Sequence, residues 1–149
     1  MEERIVRVLA VALIALSLLP AGVRAEQFQQ FGEYVVHYNT INTSFLSAQV
    51  AREYGIRRSG HRAMLNVAVQ RTSNGKINPV RARMSVVATN LSGQLREVDM
   101  RAVEDGEAVY YIGELPIEDG DVLDFDVRVQ PADSSQSLDL RFREQFFVR

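Results

Sequence analysis

The chain has 149 residues, 46% hydrophobic and 24% charged, with no cysteine and no tryptophan. The missing cysteines exclude a disulfide-stapled miniprotein, and the balance of apolar and charged residues excludes a disordered chain or a multispan membrane protein. A formal net charge of -2 leaves no electrostatic footprint for nucleic acid, so the expectation is one soluble domain.

The chain opens on a segment that reads as a secretory leader. Arg4 and Arg7 precede an uncharged run from Val8 to Leu19, and Pro20 and Gly22 break any helix there. Val23-Arg24-Ala25 sets up cleavage between Ala25 and Glu26. The uncharged stretch from Val8 to Val23 is 16 residues, short of the ~20 that a spanning helix needs. The expectation is therefore a cleaved signal peptide over residues 1–25, a mature domain over 26–149, no stable membrane span after cleavage, and a periplasmic location.

The mature part reads as strands. Seven are expected, at about 31–42, 62–72, 80–91, 94–103, 107–115, 121–130 and 137–148. The cleanest is Val122–Gln130, where Leu123, Phe125, Val127 and Val129 alternate with Asp124, Asp126 and Arg128. Leu138, Leu140 and Phe142 repeat the pattern, and the polar stretch 131–135 predicts a hairpin between the two. Asn74-Gly75, Asp105-Gly106 and Asp119-Gly120 mark turns. One segment departs from period two. Phe45, Leu46, Val50 and Tyr54 have helical spacing, with Ser44 placed to cap the helix and Gly55 to end it. The predicted fold is all-β: one antiparallel immunoglobulin-like sandwich of about seven strands, with a short helix crossing between strands 1 and 2.

The usual catalytic motifs are missing. The only histidines, His37 and His61, form no metal-ligand pair, and His61 lies in a basic stretch with Arg57, Arg58 and Arg62. Glu118, Asp119, Asp121, Asp124 and Asp126 lack calcium-loop spacing. There is no cysteine, no Gly-x-Ser-x-Gly elbow, no phosphate loop and no dinucleotide fingerprint. No metal, cofactor or catalytic residue is expected. Glu144 is anomalous, because it falls on the inward phase of Leu138, Leu140 and Phe142 and needs a partner, a route to water or a bulge. Phe146, Phe147 and Val148 form an apolar end that either completes the core or stays exposed.

The stretches His37-Tyr38-Asn39-Thr40-Ile41-Asn42, Phe45-Leu46, Val50-Ala51, Tyr54-Gly55-Ile56, Arg58-Ser59, Leu65-Asn66-Val67 and Phe142-Arg143-Glu144-Gln145-Phe146 stand out together. On them the chain resembles an exported proteobacterial family catalogued as domain of unknown function 4426. The resemblance implies a periplasmic all-β protein and supplies no activity, cofactor or catalytic residue.

Binding candidates are the polar residues of those stretches: His37, Tyr38, Asn39, Asn42, Arg58, Ser59, Asn66 and Glu144. His37, Asn39, Asn42, Arg58, Ser59 and Asn66 are expected to converge at one end of the sandwich. The alternative is that the asparagines hydrogen-bond the backbone of the crossing and fix its path. The first functional reading is a non-enzymatic periplasmic binding or interaction module, engaging another envelope protein through a sheet edge or the C-terminal apolar cluster. The alternatives are a small-ligand or metal site around His37, Asn39 and Arg58, and a hydrolase with a His-based site.

Overall fold

The computed structural model describes residues 27–148; the expected leader, residues 1–25, lies outside the described residues. Ten strands follow in chain order: β1 (Gln27–Phe31), β2 (Tyr34–Asn42), β3 (Arg62–Ser73), β4 (Lys76–Pro79), β5 (Ala82–Asn90), β6 (Leu95–Val98), β7 (Arg101–Asp105), β8 (Ala108–Pro116), β9 (Val122–Pro131) and β10 (Leu138–Gln145). The crossing from β2 to β3 carries a 3-10 turn at Thr43–Phe45 and one helix, α1 (Ala48–Glu53).

The strands form two antiparallel sheets. The first runs β1-β2-β3-β8-β7, with β4 also paired to β3; the second runs β10-β9-β5-β6. Strands β2, β3, β8 and β7 take the A, B, E and D places of an immunoglobulin-like sandwich, and β10, β9 and β5 take G, F and C, with β6 added beside C. The predicted all-β sandwich is the observed one.

Period two drives the packing. Leu123, Phe125, Val127 and Val129 of β9 are buried against Ala63, Leu65, Val67 and Val69 of β3 in one core. Each fully buried large aliphatic or aromatic side chain contributes about 1.5–3 kcal/mol. At one end of the core the Phe125 and Phe142 rings stack 4.8 Å apart, Tyr38 stacks on Phe142 at 4.4 Å, and Phe146 meets Phe125 edge-on at 6.3 Å. Phe146 therefore completes the core, while Phe147 stays exposed.

Three strand expectations change. The run 94–103 is two strands on different sheets, with the chain crossing at Asp99-Met100. Gly113 on β8 makes room for this crossing: a Cβ there would stand 2.5 Å from Met100 Sδ and 2.9 Å from the Asp99 carbonyl oxygen. The hairpin β1–β2 adds an edge strand that the sequence hides, because Gln27–Phe31 is exposed except at Phe31. Strand β4 is exposed throughout, so no apolar pattern marks it. It folds back on β3 through Asn74 and Gly75, whose φ angles of 51° and 73° fit a two-residue hairpin turn.

The helix is shorter than the expected 45–54, and its cap is Ser47, not Ser44. Ser47 accepts the Val50 N–H, whereas the Ser44 hydroxyl donates to Asn42 Oδ1 at 2.8 Å. Gly55, at φ +64°, ends the helix as expected. Its N–H reaches Arg52 O, the Ile56 N–H reaches Ala51 O, and Ile56 packs near Ala51, which together make a Schellman stop.

Candidate functional site

The crossing is fixed at its base by buried polar groups. Asn42 is buried, and its Nδ2 donates to the carbonyls of Gly60 at 2.9 Å and Phe147 at 3.2 Å. Its Oδ1 accepts from the Ser44 N–H and hydroxyl. Thr43 Oγ1 donates toward the carbonyls of Arg57 and Ser59 and accepts the Ser59 N–H at 3.0 Å. Arg58 reaches Ser44 O at 3.4 Å. Buried polar groups satisfied in this way hold a loop in one path.

Held there, α1 lies over the outer face of the first sheet. Leu46 precedes α1, Val50 lies on it and Tyr54 caps it, and all three turn toward the sheet. They face Met64 of β3, Ile112 of β8 and Val103 of β7, while Ala51, Ile56 and Ile112 pack into a small core separate from the main one. This packing leaves a cleft of about 240 Å³. Leu46, Val50, Tyr54, Ile56, Met64, Val103, Tyr110 and Ile112 give it apolar walls, and Asn66 and Asp105 supply its polar groups.

Asn66 stands in a row across the outer face: Asn39 opposite Asn66, Asn66 opposite Ile112, and Ile112 opposite Arg101. Its Oδ1 is buried and has no hydrogen-bond partner. A buried unpaired acceptor costs about 1–3 kcal/mol, and such a group calls for an explanation. Arg101 donates to the carbonyl of Tyr54, the helix C-cap. The Tyr54 phenol is pushed above its ordinary range, first by the charge of Glu53, then by burial and by Asp105 and Tyr110.

The eight residues singled out from the sequence divide. Asn42, Arg58 and Ser59 come together at the base of the crossing, engaged with its backbone. Asn39 and Asn66 sit side by side on the outer face, and only Asn66 lines the cleft. His37 shares that outer face at the far side of β2, with Nε2 3.0 Å from Gln70 Oε1 and its ring beside Phe28. Tyr38 points the other way, into the core. Glu144 lies on β10 in the second sheet, half-buried opposite Leu123; the ladder runs unbroken to Gln145, so no bulge turns it outward.

The cleft residues the sequence reading missed are Leu46, Val50, Tyr54, Ile56, Met64, Val103, Asp105, Tyr110 and Ile112. Their signal was apolar residues on the wrong phase. Met64 lies beside inward-facing Ala63 and Leu65, and Ile112 beside inward-facing Tyr111, as expected of strands covered on both faces.

Among known proteins, the family model described as domain of unknown function (DUF4426) matches residues 28–149. The chain belongs to this family. A DUF4426 family protein from Pseudomonas aeruginosa is 31% identical and superposes with a TM-score of 0.72, over 85% of this chain and 98% of that one. Two structures of FetP from uropathogenic Escherichia coli share the fold alone. The copper-bound variant has a TM-score of 0.59 at 9% identity, over 84% of this chain and 92% of its own. The as-isolated form, expressed in the periplasm, has a TM-score of 0.57 at 8% identity, over 83% and 94%. Comparison with curated proteins finds no match. Among the described residues, no helix is long and apolar enough to cross a membrane.

Proposed function

We propose that this DUF4426 protein is a non-enzymatic binding module of the cell envelope, exported to the periplasm through residues 1–25, and that it holds a small organic ligand in the cleft beneath α1. The observation that carries this reading is the apolar lining on the outer face of a sheet whose inner face already supplies the main core. This second apolar layer packs against α1 without filling the space beneath it, and an apolar concavity with one or two polar groups is the usual form of a ligand site. The compartment reading rests on the leader-like pattern of residues 1–25. The ligand reading is organic because the cleft walls are aliphatic and aromatic, with Asn66 and Asp105 as their polar groups.

Two measurements test the proposal. Cell fractionation followed by N-terminal sequencing is expected to find the protein in the periplasm beginning at Glu26. Thermal unfolding of that exported protein in a panel of small aromatic and branched aliphatic compounds is expected to give a shift of several degrees for one chemical class near saturation. A flat response across the panel would overturn the cleft as a ligand site. A docking role toward an envelope protein is the second reading, favoured by the eight-residue strand β10, which lies at an open sheet edge.

A further inference from the structure

We infer that the cleft selects a small organic cation, an aromatic or branched aliphatic group carrying a primary ammonium, with the apolar body among Val50, Met64 and Ile112 and the ammonium at the rim formed by Asp105 and Tyr54. The inference rests on the cleft being the binding site and adds the charge and size of its ligand.

Size sets the body. A cleft of about 240 Å³ is smaller than the roughly 300–1,000 Å³ of drug-sized sites, so it takes one ring or one branched chain with a short arm. The walls supply no group that would stabilise a charge within that body.

Charge sets the head. Asp105 makes no ion pair among the described residues, whereas its neighbour Glu104 is paired with Arg81. Glu53, the last residue of α1, is likewise outside the ion pairs among the described residues. Arg101 donates to the Tyr54 carbonyl and keeps its positive charge there, on the backbone side of Tyr54 and outside the residues that line the cleft. Tyr54, Tyr110 and Asp105 line the same cleft, and the Tyr54 phenol is pushed up by the neighbouring Glu53 first and by Asp105 as well. A ligand carboxylate would meet the like charge of Asp105 there; an ammonium would meet an opposite charge and two phenol rings, whose faces attract cations. The Asn66 amide is the other polar group of the wall, with its Oδ1 buried. A half-turn about its χ2 exchanges donor and acceptor, so it can take a hydrogen bond from a polar substituent on the body.

The test uses three probes of one shape on the exported protein: 2-phenylethylamine, 2-phenylethanol and 3-phenylpropionate, titrated by calorimetry at low salt. The expected order is amine, alcohol, acid, with the amine ahead of the alcohol by roughly twofold to fivefold, as for exposed charge pairs. Asp105→Asn, at an exposed strand end, is expected to remove most of that advantage, and raised salt to shrink it. Equal affinity for amine and alcohol, with both weakened by Val50→Phe, would overturn the cation preference and leave the cleft standing. A preference for the acid would overturn it with the opposite sign. Binding by none of the three would overturn the cleft reading itself.

Discussion

Asn42 donates its side-chain amide to the carbonyl of Gly60 at 2.9 Å, tying the end of β2 to a residue two before the start of β3. The same nitrogen reaches Phe147, and the amide oxygen holds Ser44. One buried side chain thus fixes both ends of the crossing that carries α1. Asn42→Ala leaves two carbonyls and two donors without this partner, and is expected to lower stability by about 2–4 kcal/mol. Chemical denaturation measures it, as a fall in the midpoint at unchanged slope.

Tyr34 donates to Asp133 at 2.7 Å, and Arg71 bridges Asp133 to Glu33. The Tyr34 hydrogen bond, followed by Arg71, holds the Asp133 carboxyl below its ordinary value of 3.8, against the opposing effect of burial. A depressed carboxyl contributes stability that is present above pH 3.8 and lost as pH falls through its folded value. Tyr34 is pushed above 10.0, first by burial and then by Asp133. A raised phenol contributes stability that is present below pH 10 and lost as pH rises through its folded value. Asp133→Asn is therefore expected to flatten the acid limb of the stability–pH curve, and Tyr34→Phe the alkaline limb. Denaturation midpoints over roughly pH 2–5 and pH 9–11 read the two effects separately.

Gly113→Ala tests the sheet-switching crossing. The added methyl meets the Met100 sulfur and Val98 side chain, which can shift, but also the Asp99 carbonyl, which belongs to the crossing backbone. The expected loss is about 1–3 kcal/mol, measured as a lower unfolding midpoint.

Asn66→Leu separates stability from binding. It removes the buried amide oxygen that lacks a partner and adds apolar surface against Met64 and Ile112. The variant is expected to be as stable as the parent or more stable, by up to about 2 kcal/mol, and to bind cleft ligands more weakly. Thermal unfolding with and without ligand measures both effects.

The main core was legible in the sequence because β9 and β10 bury one face and wet the other, so the alternation of Leu123 to Val129 and of Leu138 to Phe142 is clean. The β9–β10 hairpin and the Gly55 helix stop follow from local turn chemistry and were equally readable. The switch of sheets at Asp99-Met100 was not, because it depends on the space left by Gly113, a residue on another strand. The cleft was not legible for a related reason: Met64, Val103 and Ile112 come from three strands and acquire a common role only when the sheet assembles beneath α1. The asparagines stood out as a group, yet the sequence contains nothing to distinguish Asn42, which holds the backbone, from Asn66, which faces the cleft.

The most direct measurement of the central claim is carbon-13 methyl NMR of the protein labelled at methionine, titrated with the panel of small aromatic and branched aliphatic compounds. Met64 lines the cleft, while Met84 and Met100 pack against the main core. The account predicts that a bound compound shifts the Met64 methyl signal to saturation and leaves those of Met84 and Met100 in place. A Met64 signal that stays fixed while a compound binds, or three signals that move together, would contradict it.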